Sequence, residues 1–172
     1  TGIMLKKVPA LPYGYNYDYF NPSVIRDLAK AENGMLTVPT GMRYRVLMLD
    51  SNVRHMSIDI LRKIKEFADA GVVICGSKPL KLASNTGGDE DEFKALVNDI
   101  WNSGRKNVSA GVDAAKVLTS IGLKPDFSIV SGNGKDIKFV HRTLPYGEIY
   151  WVANLSKEDR NITASFKTSG KK

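Results

Sequence analysis

Several groups of side chains in this chain have the types and spacing to do chemistry. Cys75 closes the apolar run Val72-Val73-Ile74 and is followed by Gly76, the arrangement of a nucleophile at a strand end before a sharp turn. A thiol nucleophile needs a base and a group that orients it, and His55 and His141 are the only imidazoles available. The plainer reading is a small buried hydrophobe, the usual state of a free cysteine among valine and isoleucine. Asp50 ends a second apolar run, Tyr44–Leu49, where a carboxylate can serve as phosphoacceptor, metal ligand or hydroxyl-binding group. No further acids are placed to share a metal with it, and a loop or capping aspartate is the alternative. Tyr13, Tyr15, Tyr17, Tyr19 and Phe20 are interleaved with Asn16, Asp18 and Asn21. Stacking faces beside hydroxyl-binding groups suit sugar recognition, which makes Tyr17, Asp18 and Asn21 candidate substrate contacts; a segment packed between domains uses the same residue types. His141 and Arg142 are adjacent on a strand candidate and so point to opposite faces, one of them toward a cleft or a neighbouring domain. They complete the set of substrate-binding candidates. Asp89-Glu90-Asp91-Glu92 stands where a helix begins and meets its positive end; the spacing shows no pair of acids held across a cleft, as glycoside hydrolysis requires.

Composition narrows the chemistry further. The chain has 172 residues, 42% of them hydrophobic and a quarter charged, which fits one ordinary α/β domain or one domain with a piece of another. A single cysteine forms no internal disulfide and no Cys-based zinc site, and the two histidines lie at no ligand spacing, so no metal is expected. Neither the loop after Asp50 nor that after Cys75 matches a phosphate-binding glycine pattern, and Gly87-Gly88 lacks the Lys-Ser/Thr that follows in a P-loop; no nucleotide or flavin cofactor is expected. No window approaches about eighteen consecutive apolar residues, so membrane insertion is not expected. The formal net charge is +7. Residues 17–122 carry 14 basic and 13 acidic side chains, however, and the surplus sits toward the ends, including Lys171-Lys172. No basic stripe interleaves with aromatics, and nucleic acid is not an expected partner.

The elements that must position these residues follow from periodicity. Residues 1–16, with Pro9, Pro12 and Gly14, read as an extended arm, and Tyr17–Phe20 as a short strand. Asn21-Pro22 starts a helix that Asn33-Gly34 stops. Two strand-like runs, 35–38 and 44–49, are joined by Pro39-Thr40-Gly41. Ile60, Leu61, Ile64, Phe67 and Ala68 make one helix face, capped at Ser57 and stopped at Gly71; strand 72–75 follows. Phe93, Leu96, Val97, Ile100 and Trp101 make a second helix, Val108 marks a short strand, and Ala114 to Ile121 a third helix. This alternation predicts a three-layer α/β domain with a parallel sheet, flavodoxin-like or class I glutamine-amidotransferase-like, over residues 17–130. After Pro125 the rhythm changes to alternating strands, 137–142, 148–153 and 161–166, without helices; residues 131–172 are expected to form an antiparallel extension, either edge strands or the start of a β-sandwich.

Tyr17-Asp-Tyr-Phe-Asn-Pro22, Gly41-Met-Arg-Tyr-Arg-Val-Leu-Met-Leu49, Leu61-Arg-Lys-Ile-Lys65, Ala70-Gly-Val-Val73, Lys78-Pro79, Gly122-Leu-Lys-Pro-Asp-Phe127, Phe139-Val-His-Arg142 and Ile149-Tyr-Trp-Val-Ala-Asn154 occur in an order and spacing that resembles the region after the catalytic barrel of large bacterial glycoside hydrolases. The resemblance is to the α-L-rhamnosidases of glycoside hydrolase family 106 and covers residues 13–166. It implies a piece of a longer enzyme, with a barrel and β-sandwich domains of the same polypeptide as partners and carbohydrate as the ligand class. The family's catalytic carboxylates and calcium ligands belong to the barrel, and no positions here match them. The implied role is a non-catalytic accessory domain acting in support of the barrel. Because family members are exported, the parent is expected to be periplasmic or on the cell surface, with its signal peptide upstream of Thr1. Alternatives from the residues alone are a self-sufficient flavodoxin-like or amidotransferase-like enzyme using Cys75 or Asp50, and a protein-interaction module.

Overall fold

The computed structural model describes residues 12–50, 52–83 and 88–168. The first eleven residues of the expected arm, Gly87 and the Lys171-Lys172 pair lie outside the described residues. The described chain falls into two compact units, Tyr19–Ser120 in one and residues 12–18 with 121–168 in the other.

The first unit is built on three parallel strands. Strands β1 (Lys30–Glu32), β2 (Met35–Thr37) and β3 (Arg43–Tyr44) form an antiparallel sheet, whereas β4 (Val46–Leu49), β6 (Val73–Gly76) and β8 (Val108–Ala110) run parallel in that order. A further parallel pair joins β5 (His55–Met56) to β7 (Lys81–Leu82). Alternation along the strands sorts side chains to two faces. Leu47, Leu49 and Ile74 join the main core with helices α1 (Ile58–Asp69) and α2 (Glu90–Trp101). Val46, Met48, Val73 and Cys75 face the other way, onto Ala114 and Val117 of α3 (Ala114–Ser120). Helix α1 explains the depth of the main core: Leu61, Ile64 and Phe67 recur at helical spacing and are each 0% exposed, worth about 1.5–3 kcal/mol apiece in removed apolar surface. It ends at Ala70, and Gly71 takes the left-handed conformation (φ 83°) that commonly follows a helix C-terminus.

Two local expectations change here. The predicted helix after Asn21-Pro22 is only a π-helical turn, Val24–Leu28, and Asn33-Gly34 does not stop a helix but turns a hairpin between β1 and β2. Both residues have positive φ, 52° and 72°, the combination a two-residue turn needs to match strand twist. The apolar run 44–49 also divides, with Tyr44 pairing to Leu36 in the antiparallel sheet and Val46 to Val73 in the parallel one.

Among its described residues, the second unit has strands and no helix. Strands β10 (Ile137–Leu144) and β11 (Gly147–Asn154) form a hairpin around Pro145-Tyr146, and β9 (Phe127–Gly132) pairs antiparallel with β12 (Ile162–Phe166). Three strands were expected; β9 is the additional one, and its Phe-Ser-Ile pattern at 127–129 is the alternation that marks it. Phe127, fully buried, stacks against Phe139 of β10 at 5.0 Å between centroids and lies 5.2 Å from Phe166 of β12. Residues 12–18, which include the described end of the expected arm, pack on this unit: the Gly14 carbonyl accepts the Asp126 and Phe127 amides at 2.7 and 3.3 Å, and Tyr13 and Tyr15 donate to the carbonyls of Ile137 and Leu123. A Cβ on Gly14 would overlap the Phe127 carbonyl, so the close approach requires glycine. Tyr17–Phe20, expected as a short strand, forms none, and its residues divide between the two units at Asp18 and Tyr19. The fold is mixed α/β, with parallel and antiparallel sheets.

Candidate functional site

A largely buried group of titratable side chains lies in the second unit. Hairpin register places His141 directly opposite Tyr150, and their rings stack at 4.2 Å with 5° between planes. Asp126, just before β9, brings its Oδ2 to 3.3 Å from His141 Nδ1, and Glu148 brings Oε2 to 3.7 Å from Nε2. All three side chains are at least four-fifths buried. Asp126 is held further by Asn16 Nδ2 and Lys167 Nζ, each at 3.4 Å, while the Tyr150 hydroxyl donates to the Lys167 carbonyl at 2.6 Å. Burial raises the Tyr150 phenol above its ordinary value, and the charges of Asp126 and Glu148 add to that.

A histidine oriented by a carboxylate is half of a nucleophile-activating arrangement. The other half is missing: among the described residues no hydroxyl or thiol meets the His141 ring. Nor do Asp126 and Glu148 make a glycosidase pair, since the imidazole fills the space between them where a glycosidic oxygen and water would lie. The cluster joins the segment entering β9 to both strands of the β10–β11 hairpin. The described residues contain no group of three or more ligating side chains suited to a metal ion.

The remaining candidates are dispersed. Asn21 caps the π-helical turn: its Oδ1 accepts the Val24 amide at 3.0 Å and the Ser23 hydroxyl at 2.7 Å. Tyr17 and Asp18 are exposed and belong to the second unit, so the expected 17–21 cluster is divided between units. Arg142 points to the face opposite His141 and is exposed, with Ile149 across the ladder. Cys75 is 1% exposed beneath α3, and burial, helped by the charge of Asp113, pushes its thiol up to about 11. It is protonated at neutral pH and packs as a hydrophobe. Asp50 accepts the Asn52 amide and side chain at 2.7 and 2.9 Å, a local turn at the end of β4. Asp89 caps α2 by accepting the Asp91 amide at 2.8 Å.

Two polar arrangements lay outside the sequence expectations. Arg105 bridges Asp69 at 2.6 Å and Asp99 at 3.1 Å, and Lys65 reaches the same two carboxylates at 2.7 and 3.0 Å, tying together the C-terminal ends of α1 and α2. Asn107 donates to the carbonyls of Ala68 and Val72, closing the turn after α1. His141–Tyr150 and the proximity of Glu148 could have been counted outward from the Pro145-Tyr146 turn. Asp126 and Arg105 carry no local signal.

With this geometry in place, the chain can be set beside known proteins. The sequence profile of glycoside hydrolase family 106, alpha-L-rhamnosidase, matches residues 1–172. The chain belongs to this family. The chain is 33% identical over 173 residues to a protein named putative beta-glucuronidase from Formosa agariphila, covering 99% of this chain and 14% of that protein. It also superposes on the solved structure of a rhamnosidase from Novosphingobium sp. PP1Y with a TM-score of 0.87 and 31% identity, over 95% of this chain and 16% of that one. The family 106 chain thus spans about one-seventh to one-sixth of the length of these relatives.

Proposed function

We propose that this family 106 chain is a non-catalytic accessory domain of a much longer glycoside hydrolase acting on rhamnose-containing or related glycans. The observation that carries the reading is one of scale: a superposition over 95% of this chain accounts for 16% of a rhamnosidase. The state of the acids supports it. Asp50 and Asp89 serve local backbone turns, Asp69 and Asp99 are tied to Arg105 and Lys65, and Asp126 and Glu148 enclose an imidazole. The partners are then the barrel and β-sandwich domains of the same polypeptide, exported to the periplasm or cell surface. Tyr17, Asp18, Asn21, His141 and Arg142 are the candidate contacts for a sugar, all of them exposed except the partly buried His141.

The finer fold reading belongs to the same proposal. Apolar contacts to helices on both faces of the β4–β6–β8 sheet support a three-layer scaffold. Its strand order follows the chain, whereas a flavodoxin-like sheet places its first strand between the second and third. The alternative of a self-sufficient enzyme is disfavoured by the protonated, buried Cys75.

The test compares the full-length polypeptide with the 172-residue chain on p-nitrophenyl α-L-rhamnoside and p-nitrophenyl β-D-glucuronide. The expected result is hydrolysis of one substrate by the full polypeptide and none by this chain. Turnover by the chain alone would overturn the accessory role; turnover of neither substrate by the full polypeptide would overturn the substrate class.

A further inference from the structure

The β10–β11 hairpin has two faces of different character. On the inner face, Phe139, His141 and Tyr150 are at least partly buried, as described above. On the outer face the register sets Val140 opposite Trp151 and Arg142 opposite Ile149, with Lys138 and Leu144 at the two ends. Trp151 is 74% exposed, Val140 49% and Ile149 44%. A two-stranded ribbon with a row of large apolar side chains in water is an exposed patch of the kind that marks an interaction site.

Charge and shape select the occupant. The only charged residues on this face are Lys138 and Arg142. A sugar would need amides or carboxylates beside the indole to take its hydroxyls, and this face offers branched aliphatics there instead. An apolar protein surface rimmed by carboxylates fits both the row and its cationic flanks. Some five-sixths of the solved rhamnosidase lies outside the region this chain matches, so a parent of similar length has ample further chain to present such a surface.

We infer that the outer face of the β10–β11 hairpin, centred on Val140 and Trp151, is the docking surface for another domain of the same polypeptide, one presenting an apolar patch with an acidic rim. The inference rests on the reading of this chain as part of a longer glycoside hydrolase. Trp151 is the anchor, because a large rigid aromatic at the middle of a patch dominates interface energetics.

Hydroxyl-radical footprinting of the native full-length polypeptide, read by peptide mass spectrometry, tests it without a destabilising variant. Trp151 is expected to label slower than in the urea-unfolded polypeptide by roughly an order of magnitude, as for a side chain in a desolvated interface centre. Labelling within about twofold of the unfolded rate, as its present exposure dictates, overturns the proposal. So does protection that appears only when a rhamnose oligosaccharide is added, or that rises with protein concentration, since these mean a sugar platform and a second copy respectively. The double variant K138E/R142E is expected to raise Trp151 labelling severalfold, and unchanged labelling overturns the acidic-rimmed partner. Activity is assayed on the same preparation, so an active polypeptide with a freely labelled Trp151 sinks the docking surface alone. An inactive one with a protected Trp151 sinks the substrate reading alone.

Discussion

Replacing Phe127 by alanine separates the energetics of the β unit from those of the α/β unit. Phe127 is fully buried and packs on Tyr13, Phe139 and Phe166 at centroid distances of 6.0, 5.0 and 5.2 Å. It therefore touches both strand pairs and the N-terminal segment. Truncating a buried phenylalanine costs about 3–5 kcal/mol, with the upper end appropriate where three aromatic neighbours cannot collapse into the space. A unit of about 55 described residues has only ~3–8 kcal/mol of total stability at typical values per residue. F127A is thus expected to remove most of the stability of β9–β12, whereas F127L, which keeps most of the volume, is expected to cost less than about 1.5 kcal/mol. Native-state hydrogen exchange with mass spectrometry reads the strands directly. Amides of β10 and β11 should lose protection by two or more decades in F127A, about 1.4 kcal/mol per decade, and by about one decade or less in F127L. Unchanged protection in β10 and β11, or equal losses in both variants, would refute the assignment of Phe127 as the centre of this core.

The other expectations are simpler to check. Cys75, with its thiol pushed up to about 11, should react with iodoacetamide near neutral pH roughly a hundredfold more slowly in the native chain than after unfolding, on the basis of thiolate fraction alone; labelling at the unfolded rate, followed by mass spectrometry, would contradict its burial. N107L leaves the Ala68 and Val72 carbonyls without their side-chain donor and is expected to cost about 1–3 kcal/mol in urea denaturation, while N107D, which lacks the amide donor, should fare no better. Hydrogen bonds from Lys65, aided by Arg105, hold the Asp69 and Asp99 carboxyls below their ordinary values. A depressed acid contributes stability above its unfolded pKa and loses it as pH falls through the folded one, so this contribution should fade below about pH 4. R105M should accordingly lower Tm near neutrality and narrow the gap to wild type at about pH 3 in thermal scans; a constant gap across that range would show that Arg105 acts by packing alone.

Periodicity carried much of the fold. The helices at 58–69 and 90–101 could be read because Leu61, Ile64, Phe67 and Phe93, Ile100 recur with helical spacing, and that spacing depends only on local geometry. The short elements were harder. Asn33-Gly34 has the composition of either a helix stop or a hairpin turn, and only the pairing of Lys30–Glu32 with Met35–Thr37 decides between them. The strand at 127–132 carries its alternation in the residues, yet its partner lies some thirty residues downstream at 162–166, and pairing over that distance leaves no trace in a local window.

The candidate site shows the same division more sharply. The residue types allowed a thiol nucleophile at Cys75, a sugar contact at Asn21 and an imidazole base at His141. The sequence by itself determined the family, through the order of many modest motifs, and the two faces of the β10–β11 hairpin, through a period of two anchored at one turn. Only the tertiary structure decided what surrounds each candidate. Side-chain chemistry depends on what surrounds it: an apolar sheet and α3 keep Cys75 protonated, the Val24 amide and the Ser23 hydroxyl donate to Asn21, and Asp126, Glu148 and Tyr150 surround His141. The partners of Asn21 are local and those of His141 across the hairpin follow from its turn, but α3 over Cys75 and Asp126 beside His141 come from residues far along the chain, where no local pattern names them.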